Sequence, residues 1–250
     1  MINREKMTTH RKSAVIVGVL FIIATAFLFI GEAVYKPILS APDYLEITYP
    51  NRTTVIVGVL LEFVIVLAMP LIAIVAFPIL KRHNEVLAIG YIVFRALEGV
   101  ILIAVAEINK LSLIGVSEAY LKGGADAAYF EAIGASIQAN IYWGDTAGLI
   151  YNLAFIVGGF MFYAVLYQSR LIPRWLSAWG LIAIAMILIG ALLGSFMEFT
   201  LVMELVAVVP IAVQEMVMAL WLIVKGWNPK AIERESGQID MTGTMRPSAV

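Results

Sequence analysis

The sequence predicts an all-α fold: a polytopic transmembrane helix bundle with six spans, both termini cytoplasmic, and an amphipathic helix in the long outer loop. Three observations carry this reading. The 250-residue chain is 62% hydrophobic and 14% charged, whereas a soluble domain is about half apolar and about a quarter charged. Six stretches each reach the roughly 20 apolar residues that a helix needs to cross about 30 Å of hydrocarbon. Lysine and arginine collect in the tails and in alternate gaps, the pattern of cytoplasmic loops.

The first span, Ser13–Ala33, follows Arg4, Lys6, Arg11 and Lys12. Its apolar run exceeds that of a signal peptide and no small-residue cleavage pattern precedes Glu32–Lys36, so an uncleaved helix is expected. The gap Val34–Thr53 carries the turn signals Pro37, Pro42, Asp43, Pro50 and Asn51. The second span, Thr54–Leu80, holds Pro70 and Pro78, and Lys81 and Arg82 separate it from the third, Val86–Ala106. The longest connection is Glu107–Asp145. Within it Tyr129, Ile133, Ile137 and Ile141 recur at helical spacing, which predicts an amphipathic helix at the outer interface or capping the bundle. The fourth span is Thr146–Gln168, the fifth Trp175–Phe196 and the sixth Leu201–Val224, interrupted by Pro210. Gly144-x-x-x-Gly148 and Gly190-x-x-x-Gly194 predict close packing inside the bundle. Residues 1–229 read as one membrane domain, and 230–250 lose their apolar content and read as a disordered cytoplasmic tail.

Several functions are disfavoured by what the chain contains. A net charge of −1 supplies no basic surface for nucleic acid. There is no cysteine, and both histidines, His10 and His83, fall outside the predicted hydrocarbon region, so no cofactor and no metal is expected there. Hydrolase, zinc-protease and P-loop motifs are absent from the sequence. Catalysis is therefore not favoured, although a carboxylate-only site using Glu62 and Glu98 stays open.

Ionisable groups inside spans are costly, face a partner or a water-filled cavity, and mark functional positions. Tyr91, Arg95 and Glu98 share one face of the third span, with Glu98 three residues from Arg95. Counting helical rise from the span ends places Glu62, Asn152, Gln214 and Glu215 at comparable depth. One layer of Glu62, Tyr91, Arg95, Glu98, Asn152, Gln214 and Glu215 is thus expected, in which one cation faces up to three carboxylates. Low dielectric opposes that excess charge, so a proton or a bound cation should complete it. A small polar ligand and a purely structural network are the other readings.

Three segments carry a resemblance: Phe94-Arg95-Ala96-Leu97-Glu98; Ile172-Pro173-Arg174-Trp175-Leu176-Ser177-Ala178-Trp179-Gly180; and Val209-Pro210-Ile211-Ala212-Val213-Gln214-Glu215 leading to Lys225-Gly226-Trp227-Asn228-Pro229. Together they resemble the prokaryotic membrane-protein family catalogued as domain of unknown function 4386. The resemblance implies a multi-pass protein of the cytoplasmic (inner) membrane and supplies no activity. The expected partners are the lipid bilayer and a proton, a cation or a small polar ligand, for transport or sensing. The alternative is a non-catalytic structural or regulatory membrane protein.

Overall fold

In a hydrocarbon environment every backbone N–H and C=O must be satisfied within the chain, and the described residues fold almost entirely into helix. The computed structural model describes residues 2–123, 127–145, 148–197 and 200–233. The helices are α1 (Ile2–Leu39), α2 (Tyr44–Ile47), α3 (Arg52–His83), α4 (Glu85–Ile101), α5 (Ile108–Lys122), α6 (Ala127–Gly144), α7 (Leu149–Ser169), α8 (Arg174–Phe196) and α9 (Leu201–Val224). A π-helical segment, Leu102–Glu107, joins α4 to α5 without a break. Among the described residues no strand occurs.

Among the described residues six stretches are long and apolar enough to cross a membrane: Thr9–Leu39, Arg52–His83, Glu85–Lys122, Ala127–Ser169, Arg174–Phe196 and Val202–Val224. Each contains or overlaps one expected span. Two are much longer than expected. The third continues past Ala106 to Lys122, and the stretch that holds the fourth includes, upstream of α7, a separate helix, α6. The connection Glu107–Asp145 is therefore not a long loop with one helix but a helical hairpin, α5 and α6, standing on the ends of the third and fourth spans. The predicted helix through Tyr129, Ile133, Ile137 and Ile141 is α6, and Ile137 and Ile141 pack on Tyr35, Leu39, Val55 and Leu113.

The spans form a ring in chain order. α1 packs on α3, α3 on α4, α4 on α7, α7 on α8, α8 on α9, and α9 returns to α1. Outward faces are apolar: on α3, Leu60, Leu67, Leu71 and Ile74 are exposed, while Val59, Val66, Met69 and Ala73 are buried. A helix apolar on all sides is either buried in a protein core or faces lipid, and here the apolar outward faces are exposed. Small residues let neighbours close in, because a Cβ on Gly18 would lie 2.6 Å from the Ala219 carbonyl oxygen of α9.

Both ends of the ring are fastened on one side. Arg11 donates to the carbonyls of Leu222, Ile223 and Val224 (3.1, 2.5 and 3.1 Å) in the last turn of α9, and the Leu222 carbonyl also accepts from the Gly226 amide. Gly226 then takes φ +76°, the left-handed conformation that ends a helix at little cost. Trp227 Nε1 donates to Ser13 Oγ (3.1 Å) and the Asn228 amide to the Leu171 carbonyl (2.9 Å). The first residues of the expected disordered tail are ordered: residues 229–233 are helical and Ala231 is buried in the core. Its remainder, 234–250, lies outside the described residues.

The opposite end is sealed by the hairpin. Ser117 Oγ donates to the Leu45 carbonyl (2.6 Å) and accepts from the Tyr49 amide (2.8 Å), and Gln138 Nε2 donates to the Leu39 carbonyl (2.8 Å).

Candidate functional site

The expected polar layer resolves into two separate ionic centres and a hydrogen-bonded node. The first centre lies at mid-ring. Arg95 Nη1 pairs with Glu98 Oε2 at 2.8 Å, one turn along α4, and Nη2 reaches Glu215 Oε1 of α9 at 3.8 Å. α4 and α9 are not ring neighbours, so this pair spans the interior. The guanidinium lies 5.4 Å from the Tyr91 ring centroid and 5.1 Å from that of Phe155. Tyr91, Arg95 and Glu98 thus share the face that their spacing predicts, and Glu215 meets Arg95 as its depth predicts.

Gln214 forms the node. Its Oε1 accepts from the Tyr163 hydroxyl (2.6 Å) and its Nε2 donates to the Leu176 carbonyl (3.0 Å), tying α7, α8 and α9 together. Asn152 Nδ2 donates to the Gly148 carbonyl of its own first turn (2.9 Å).

Glu62 belongs elsewhere, which corrects the single layer. It pairs with Lys110 (Nζ–Oε2 2.5 Å), and the same ammonium reaches Glu107 Oε1 at 3.0 Å and Asp145 Oδ2 at 3.2 Å. Lys110, Glu62 and Glu107 are 0%, 0% and 3% exposed. The three donors of one ammonium thus meet three carboxylates. Tyr35 of α1 completes the centre: its hydroxyl donates to Asp145 Oδ2 (3.3 Å) and its ring centroid lies 4.2 Å from Lys110 Nζ. Glu62 Oε1 and Glu107 Oε2 are buried and without a hydrogen-bond partner.

Arg95 is accordingly not the sole interior cation. Lys110 is missed in the sequence because it falls four residues beyond the apolar run that ends at Ala106, where a loop was expected. The π-helical segment carries the helix onward, and its wider turn advances the following residues around the axis. Glu107 and Lys110, three apart, then both face inward. That spacing, followed by Leu111, Leu113 and Ile114, is the signal that the sequence does contain.

Gly31 makes room for this centre. A Cβ there would lie 2.7 Å from Glu62 Cγ and 3.2 Å from the Gly58 carbonyl oxygen. Glu62 is held by Lys110 and cannot swing aside, so Gly31→Ala should push α1 from α3 and destabilise by about 1–3 kcal/mol. Gly115→Ala, with nothing within 4 Å of its Cβ, is the control and should be neutral or slightly stabilising. Detergent-resistance melting of both purified variants checks this, and equal melting of Gly31→Ala and wild type refutes it.

Apolar outward faces around an ionic interior define a multi-pass integral membrane protein. The chain belongs to the family described as domain of unknown function (DUF4386), which matches residues 16–226. No curated protein and no solved structure matches the chain.

Proposed function

We propose that the Lys110 centre binds protons, and that their binding and release change how the α5–α6 hairpin sits on the bundle, for transport or sensing. The observation that carries this is the convergence of Glu62, Glu107 and Asp145 on one buried ammonium. With all groups ionised the centre would hold a net charge of about −2, which burial strongly opposes. Lys110 already occupies the central cation position, which favours a proton over a metal ion as the missing charge. Glu107 and Lys110 lead into α5, and Asp145 follows α6, so the centre grips both feet of the hairpin.

The membrane proposed is the prokaryotic cytoplasmic one, with both chain ends inside and the hairpin outside. Arg11, Lys12, Lys81, Arg82, Arg170, Arg174, Lys225 and Lys230 support this, since they lie at the end of the ring that carries both tails. Burial of Lys110 leaves Lys36, Arg52 and Lys122 at the other end, which strengthens the asymmetry.

A scaffold reading is favoured for Gln214, whose amide oxygen and nitrogen are both satisfied. Thermal melting across pH, with and without added monovalent and divalent cations, separates the two roles. Wild type should show a pH-dependent midpoint that ignores added cations, and Glu62→Gln should fold yet lose part of that dependence. A midpoint independent of pH in both proteins leaves only a scaffold.

A further inference from the structure

The Lys110 centre is buried, yet one of its neighbours reaches the surface. Glu32 lies on α1 three residues before Tyr35, so the two share a helix face. Its side chain is 26% exposed and sits 3.8 Å from Lys36, whose side chain is 60% exposed. An open groove on α1, lined by Phe29, Glu32, Ala33, Lys36 and Pro37, leads to it. Inward, Glu32 lies within electrostatic reach of Asp145, Glu62 and Lys110. Tyr35 stands between: it is 5% exposed, and its hydroxyl faces Asp145 at 3.3 Å with Glu62 also in reach.

We propose that protons enter and leave the Lys110 centre at the hairpin end of the bundle, through Glu32 and the Tyr35 hydroxyl. This rests on the proton-binding reading above and names its route. A proton taken up by the Glu32 carboxylate from water in the groove passes, directly or over one water, to the Tyr35 oxygen. The Tyr35 O–H proton moves on to Asp145 Oδ2. Tyr35 ends neutral as it began, Glu32 regains its charge, and the net transfer is one proton from solvent to Asp145. From there Lys110 relays it: the ammonium gives a proton to Glu62 or Glu107 and takes the one on Asp145. The groups facing the path are Glu32, Tyr35 and Lys36 of α1, Glu62 of α3, Glu107, Lys110 and Asp145. The unpartnered oxygens of Glu62 and Glu107 are where an arriving proton finds an acceptor. The Arg95 centre has its own carboxylates and takes no part.

The test is a pH jump on the full-length protein in lipid nanodiscs, followed by the infrared carbonyl absorption of protonated carboxyl groups. In wild type a band should appear on acidification, and the part lost in Glu62→Gln reports the Lys110 centre. In Tyr35→Phe and in Glu32→Gln this part should still appear but about tenfold or more slowly, since an acid–base relay group has been removed. Tyr91→Phe, at the other centre, should keep the wild-type rate. Glu32 is partly exposed at the groove, so Glu32→Gln carries the test by itself if Tyr35→Phe does not fold. Wild-type rates in the folded variants, with the band present, overturn the route and leave proton binding intact. Absence of any Glu62-dependent band in wild type overturns both.

Discussion

Lys110→Met should be the most damaging single substitution in the protein, costing on the order of 3–5 kcal/mol as the loss of one partner of a buried ionic group does. Three carboxylates, those of Glu62, Glu107 and Asp145, would remain around an uncharged side chain. Two of them are almost wholly withdrawn from solvent. The apolar stem of Lys110 is roughly reproduced by methionine, so the loss reports charge rather than shape. Glu62→Gln in the same background should recover part of it by removing one repelling charge. Unfolding of purified protein in mixed micelles with increasing ionic detergent measures both effects. A Lys110→Met protein as resistant as wild type would show that the centre contributes nothing to folding, and the charge argument for proton binding would fall with it.

Arg95→Met should be nearly as costly, because it strands Glu98 and Glu215 at mid-ring and empties the space over the Tyr91 and Phe155 rings. The informative measurement is the double variant Arg95→Met/Glu98→Gln. Glu98 is the closer partner at 2.8 Å and is fully buried. Neutralising it after the cation has gone should return about 1–3 kcal/mol, in the range of coupling found for residues in direct contact. Glu215→Gln, at 3.8 Å and with a side chain 15% exposed, should return less. Strict additivity of Arg95→Met and Glu98→Gln would mean that the pair does not interact in the folded protein.

Much of the architecture was legible because bilayer thickness converts directly into residue count. Thr54–Leu80 and Trp175–Phe196 fall within helices Arg52–His83 and Arg174–Phe196. A span does not end where its apolar run ends. Glu107 and Lys110 break the run at Ala106, yet they neutralise one another in the interior and the helix continues. A hydropathy reading scores each charge alone and cannot see that two charges satisfy each other. The same limit split the polar layer. Depth matching on α4 and α9 brought Arg95 to Glu215 and, by spacing, to Glu98, because straight helical rise fixes height. It places Glu62 at the level of Glu98 as well, but height says nothing of which side of the ring a residue occupies, and Glu62 faces Tyr35 and Lys110 instead. The π-helical turn that aims Lys110 has no sequence signature among Leu102–Glu107. Gly31 carries a signal of another kind: a glycine inside an apolar helix can mark a neighbour's side chain, here that of Glu62.

Because α9 returns to α1, the succession of helices is a cycle rather than a line. No span is an edge, and each has a neighbour on either hand. Ser13 and Trp227 touch where the cycle closes, so the point at which the polypeptide starts is geometrically interchangeable with any of the turns on that side, such as the one at Ser169–Pro173. A chain opened there, with its former ends joined, would preserve every pair of packed helices. The order of helix contacts is thus a property of the closed loop.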